Sequence, residues 1–205
     1  VADRVPLDFD PPVRQLRSLL LGIDEDELTD RTPCGDWTVA ALLVHIMGVS
    51  WAFTQAAKKV TGAPGTAGPP PRPDPADLPT HWRSRMPVLI EELAAAWREP
   101  TAWTGTSQVG GATMPAATIG AFGMNELVMH SWDLAKATGQ DYAADPRILE
   151  ALIELLSQAP AGAFGPPVDV SEEESLLDQA VALAGRDPHW HPRRNFSAPS
   201  TSAAE

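Results

Sequence analysis

Gly120-Ala121-Phe122-Gly123-Met124-Asn125-Glu126-Leu127-Val128-Met129-His130-Ser131-Trp132-Asp133-Leu134-Ala135-Lys136-Ala137-Thr138-Gly139 reads as one helix. It is closed by a glycine, the residue that most easily takes the left-handed conformation ending a helix. At helical spacing Ile119, Phe122, Glu126, His130, Asp133 and Ala137 share a face, which is expected to point into a core. Three of these six are ionisable. A buried carboxylate and a buried imidazole one turn apart are costly without a partner, and a divalent cation is a partner that would use both.

Working outward, this helix is expected to begin near Pro115. Downstream, Asp145-Pro146 supplies an N-cap and a first-turn proline for a helix carrying Leu149, Leu152, Leu155 and Leu156. Ala159 to Val170 reads as a Pro/Gly loop. Ser171 with Glu174 three residues on has the form of a capping box, opening a last helix that Gly185 closes. Residues 191–205 are polar and small, and are expected to be a disordered tail to a domain spanning 8–190.

Upstream, Pro11-Pro12 starts an amphipathic helix with Val13, Leu16, Leu19 and Leu20 on one face, ended by Gly22. Asp24 to Thr32 is an acidic connector. In Thr32-Pro33-Cys34-Gly35-Asp36-Trp37-Thr38, Thr38 is the expected N-cap of a second helix running to about Gly62. Its inward stripe is Leu42, His45, Ile46, Val49, Phe53 and Ala56. Residues 62–79 read as a long Gly/Pro/Ala loop. A third helix begins at Thr80 with Trp82, Met86, Leu89, Ile90, Leu93 and Trp97 on one face. Pro87 must kink that helix or mark its true start. The only strand signal lies between Trp103 and Met114, where a short hairpin or plain loop would fit. Four main helices with two shorter ones packed outside give an all-α fold.

The 205 residues with 43% hydrophobic content suffice for one sizeable core. A net charge of −12 repels phosphate backbones and anionic membranes, so nucleic acid and membrane surfaces are not expected partners. The apolar run from Ala40 to Phe53 is shorter than the roughly 20 residues of a bilayer span, and the N-terminus lacks a signal-peptide layout. A single cysteine, Cys34, excludes an internal disulfide framework and fits a reducing, cytoplasmic compartment.

Glu126 and His130, at i and i+4, lie within about 6 Å at their Cβ atoms and can reach one ion. His45, on the inward stripe of the second helix, is the candidate third ligand. Two nitrogens and a carboxylate form a frequent catalytic set that leaves a coordination position for water or substrate. Spacing alone leaves the plain alternative standing, since E-x-x-x-H recurs on helices by chance and an inward histidine is commonly a satisfied core residue.

Two stretches resemble a known family. Thr32-Pro33-Cys34 with Trp37-Thr38-Val39-Ala40-Ala41-Leu42-Leu43-Val44-His45, and Glu126 to Ala135 followed by Thr138-Gly139, are similar to the two signatures of the DinB-like metalloproteins. The nearest branch is that of mycothiol-dependent maleylpyruvate isomerase and its single-domain actinobacterial relatives, whose ending Leu183-Ala184-Gly185-Arg186-Asp187-Pro188 with Trp190 also resembles. The resemblance implies a DinB-like four-helix bundle in which His45, Glu126 and His130 bind a divalent metal, zinc foremost and otherwise iron, nickel or manganese. It also implies a mycothiol-type thiol as cosubstrate, deprotonated beside the cation, and a small electrophilic substrate, with a homodimer open. The enzyme that names the branch carries a second, C-terminal domain, and these residues are not expected to hold one. The expectation is therefore S-transfer or isomerase chemistry without maleylpyruvate as the expected substrate. Two other uses of such a bundle remain: non-haem metal chemistry of another class, and a non-catalytic, metal-stabilised binding module.

Among the remaining residues, Asp133 either serves the site, orienting a ligand histidine or sitting beside the open metal position, or bonds to backbone at the bundle edge. Cys34 lies just before a helix start, where a thiolate is favoured, but reads foremost as a small packed side chain. Trp37 and Trp132 adjoin the two motifs and are candidates to wall a pocket, while the other tryptophans read as packing. His189-Trp190-His191 reads as exposed, His81 as a surface residue, and Glu172-Glu173-Glu174 as a solvated helix start.

Overall fold

The computed structural model describes residues 6–63, 68–159 and 164–192. Expectations for the tail at 193–205 and for parts of the loops at 64–67 and 160–163 lie outside the described residues. Six helices appear in chain order, α1 (Asp10–Leu21), α2 (Val39–Ala57), α3 (Trp82–Arg98), α4 (Ala116–Ala137), α5 (Pro146–Ser157) and α6 (Leu176–Leu183), with a hairpin of β1 (Thr106–Val109) and β2 (Ala112–Pro115) before α4. The all-α reading holds, with the hairpin as its one small addition.

α1 and α2 each touch both α3 and α4, which closes a four-helix ring, while α5 packs on α4 and carries α6. The expected apolar faces meet in one core: Leu16, Leu42, Leu43, Ile46, Met86, Ile90 and Ile119 are fully buried within it. By length and composition α2 could cross a membrane, but it is packed between α3 and α4. In α4 only Ala117, Thr118, Phe122, Glu126 and Lys136 fall short of full burial. The single inward face expected for it understates its position, since the other helices and the hairpin surround it.

The local signals work as their chemistry predicts, with three corrections. Thr38 caps α2 by accepting from the Ala41 N–H at 3.3 Å, and Asp145 caps α5 through the Arg147 N–H. However, α2 ends at Ala57, not near Gly62. Lys59 adopts φ 57°, and the Val60 N–H turns back to the Gln55 carbonyl at 3.0 Å, the bond pattern of a left-handed helix cap. A lysine there is strained, but its Nζ donates to the carbonyls of Ala102, Thr104 and Thr106 at 3.3, 2.7 and 3.3 Å, tying the end of α2 to the hairpin. Pro87 lies inside α3, which already begins at Trp82, so it does not mark the start. The cap of α6 is Ser175, which accepts from the Asp178 N–H; Ser171 and Glu174 form a separate turn ahead of it. The same serine-to-acid spacing occurs twice, four residues apart, and the helix takes the second.

Between β1 and β2, Gly110 and Gly111 take φ 60° and 80°, the two positive values a tight two-residue hairpin turn requires. The hairpin feeds α4 under an aromatic cluster in which Phe9 stacks on Trp97 at 5.8 Å and Trp97 meets Trp103 edge-on at 4.9 Å. Gly120 lies beneath these indoles. A Cβ there would come within 2.6 Å of Trp103 and 2.8 Å of Trp97. Gly120→Ala is expected to lower unfolding free energy by about 1–3 kcal/mol through overpacking, despite the better helix propensity of alanine. Urea denaturation checks this, and a stabilised variant would show that the indoles can yield.

Candidate metal centre

Two helices supply the centre. α2 carries His45 two turns past its Thr38 cap, and α4 carries Glu126, His130 and Asp133 on successive turns of its inner side. The Nε2 of His45 lies 3.0 Å from Glu126 Oε2, and the Nε2 of His130 lies 3.1 Å from the same oxygen. The two rings meet edge to face at 4.7 Å. One ligand atom from each residue falls within 4.8 Å of the others. The structure thus brings together all three residues that the sequence singles out. Glu126 retains 25% side-chain exposure, against 10% for His45 and 6% for His130, so the cluster opens to solvent on the carboxylate side.

Asp133 is wholly buried, and its Oδ2 lies 2.9 Å from His130 Nδ1. Of the two readings of Asp133, the contact with the histidine is the one present. The sequence reading missed Arg186, whose Nη2 is 3.1 Å from the same Asp133 oxygen and 3.7 Å from Cys34 Sγ. It reaches this place because Gly185 takes φ 78° after α6, and the Gly185 and Arg186 N–H groups bond back to Ala182 and Val181. Cys34 is half-buried beside the guanidinium and His130, so it is more than the small packing residue expected. Its turn is set by Thr32, whose hydroxyl accepts from the Cys34 N–H and donates to the Trp37 carbonyl.

Trp37 walls the site as anticipated, with its ring 4.8 Å from His45 and 6.0 Å from His130. Trp132 does not share that role; it is a buried core residue with the Lys136 ammonium 5.4 Å from its ring. His189 and His191 are exposed, and neither belongs to a cluster of metal donors among the described residues.

The charges support one another. Burial works against ionisation of Glu126, but hydrogen bonds from His130 and His45, and their charge, hold its carboxyl well below the usual range. Burial likewise opposes the charged forms of His130 and Asp133. Contacts with Asp133, Cys34 and Glu126 nevertheless raise His130 well above an ordinary imidazole, and Arg186 and His130 keep Asp133 ionised. An ionised Asp133 can only accept, so His130 donates from Nδ1 and directs Nε2 at Glu126. Loss of the two protons that the His45 and His130 Nε2 atoms direct at Glu126 would leave two nitrogen lone pairs and one carboxylate, a set that fits zinc and other borderline divalent ions. A second group, Cys34, His130 and Asp133, also has its donor atoms within 4.8 Å. There the Arg186 guanidinium already supplies the positive charge, which disfavours a cation.

The helical bundle, with two histidines and one carboxylate converging between facing helices, is of the DinB-like fold class. Residues 9–135 match the sequence model of the mycothiol maleylpyruvate isomerase N-terminal domain, and the chain belongs to that family. It is 27% identical over 176 residues to an uncharacterized protein of Mycobacterium tuberculosis, found in strains CDC 1551 and H37Rv, with 82% of this chain and 90% of that protein covered. Crystal structures of mycothiol-dependent maleylpyruvate isomerase and of a histidine-to-alanine mutant of it superpose with TM-scores of 0.58 and 0.57 at 20% and 21% identity, covering 75% of this chain and 71% of theirs. At that identity the likeness is one of fold.

Removing Asp133 would leave Arg186, whose side chain is 12% exposed, without its carboxylate. Asp133→Ala is expected to cost about 3–5 kcal/mol in the metal-free protein, measured by urea denaturation. Because the Asp133 carboxyl is held low, its stabilisation is present above about pH 4 and lost as pH falls through its folded value. The gap between wild type and Asp133→Ala should therefore narrow in acid, and a gap independent of pH would contradict the ionised state.

Proposed function

We propose that this chain is a divalent-metal-dependent enzyme that uses a low-molecular-weight thiol of the mycothiol type for isomerisation or S-transfer on a small electrophilic substrate. The observation that carries this reading is the approach of both histidine Nε2 atoms to one Glu126 oxygen at 3.0 and 3.1 Å, with the carboxylate side open. Family membership supports the thiol.

His45, Glu126 and His130 are the residues assigned to hold the ion, with zinc favoured over iron, nickel or manganese by the donor set. A divalent cation in this place would supply Lewis-acid stabilisation of a thiolate near neutral pH. Asp133 keeps His130 in the tautomer that offers Nε2, and Trp37 covers the two rings and limits water. Three protein donors and an exposed side favour an open coordination position over a closed structural site. The cosubstrate thiolate adds to one carbon of a carbonyl-conjugated double bond, whose π electrons pass to the carbonyl oxygen as an enolate. In isomerisation the resulting single bond rotates, the enolate re-forms the double bond and the thiolate is expelled; in S-transfer the enolate carbon takes a proton from solvent and the thioether is the product. The reading carries with it a cytoplasmic location and no nucleic-acid or membrane partner.

Elemental analysis of untagged protein is expected to give near one zinc or similar ion per chain, lost in a His45→Ala, His130→Ala variant. Wild type, but not the variant, should then turn over members of an electrophile panel only when a mycothiol-type thiol is supplied. Metal affinity should fall as pH is lowered, because protons compete for the histidines. Absence of metal from both folded proteins would reject the reading.

A further inference from the structure

We infer that Arg186 is a positioning residue for the candidate metal centre, holding Asp133 so that Asp133 holds His130, and that the segment after α6 thereby completes the site from outside the part of the chain that matches the family model. The inference rests on the reading of His130 as a ligand and deepens it.

The geometry is a relay from a half-buried guanidinium through two buried groups, Asp133 and His130. Arg186 Nε and Nη2 face both oxygens of Asp133, at 3.5 Å to Oδ1 and 3.1 Å to Oδ2, while Nη1 donates to the Ala184 carbonyl at 2.7 Å. The guanidinium is therefore fixed at one edge to its own backbone turn and at the other to the carboxylate plane. The Asp133 Oδ2 that accepts from Nη2 also accepts from His130 Nδ1 at 2.9 Å. A lone aspartate on a buried helix could rotate away from the ring. The fork on both carboxylate oxygens prevents that rotation. The family match ends at residue 135, yet the relay depends on residue 186. The left-handed turn at Gly185 is what returns the chain to α4, and a Cβ there would come within 3.0 Å of the Phe164 carbonyl. Partners that orient ligand histidines commonly alter metal affinity by roughly 10–100-fold when removed.

The test is zinc affinity, measured by competition with a chromophoric chelator, for wild type, Arg186→Met, Asp133→Asn and the double variant. Arg186→Met should weaken zinc binding roughly tenfold or more. In the Asp133→Asn background it should add less than about twofold, because both changes break the same relay. Long-range proton–nitrogen NMR of metal-free protein reads the His130 ring directly and should show the Nδ1–H form reduced in Arg186→Met. If Arg186→Met fails to fold, Arg186→Lys carries the test. It keeps the charge without the fork, and should fall between wild type and the Asp133→Asn variant in both readouts. Unchanged zinc affinity in folded Arg186 variants, or effects that multiply in the double variant, would overturn the inference while leaving the metal centre intact. Failure of wild type to bind zinc or any other divalent ion would overturn both.

Discussion

Two imidazole nitrogens directed at one carboxylate oxygen are the constraint on which the rest of the structure depends. Such a convergence is unfavourable in a bundle interior unless protons or a cation balance it, and each donor must be aimed by something else. α2 aims His45 from a capped start, and α4 aims Glu126 and His130 from adjacent turns. Asp133 and Arg186 fix the far side of the His130 ring. Rigidity here comes from helices and buried ion pairs, the elements best able to hold side chains to within fractions of an ångström.

That demand explains why α4 is so deeply embedded. A helix that presents candidate ligands on one side needs packing on its other sides to hold its rotation, and α4 has the bundle, the hairpin and α5 around it. Glycines allow the close approach. Gly120 admits the indoles of Trp97 and Trp103, and Gly123, one turn before Glu126, admits the Phe53 ring, where a Cβ would stand 2.8 Å away. The Lys59 ammonium, bonded to three carbonyls, anchors the hairpin that leads into the helix.

Much of this was legible in the sequence because it is encoded locally. Helical periodicity, the caps at Thr38 and Asp145, and glycine at 139 and 185 act over a few residues, and their readings match the elements found. The resemblance around His45 and around Glu126 with His130 selected three residues whose donor atoms do lie together. What escaped depended on distance along the chain or on competing local signals. Arg186 meets Asp133 across 53 residues, and no pattern near either one announces the pair. Nothing local said that one of the 15 basic residues would stand beside Asp133. Cys34 looked like packing because its neighbours Arg186 and His130 arrive from other helices. The shifted start of α6 arose from two nearly equivalent caps, and the early end of α2 from a lysine in a conformation usually left to glycine.

A cation held by His45, Glu126 and His130 would be surrounded by nitrogen and oxygen and would leave one position for a thiol. X-ray absorption at the metal edge of zinc-loaded protein measures this directly, with and without a mycothiol-type thiol. The account predicts a first shell of nitrogen and oxygen alone, with the outer scattering of two imidazoles, and one sulfur at about 2.3 Å appearing only when thiol is added. A sulfur at that distance in the protein without thiol would mean that Cys34 had taken the open position. That result would contradict the account.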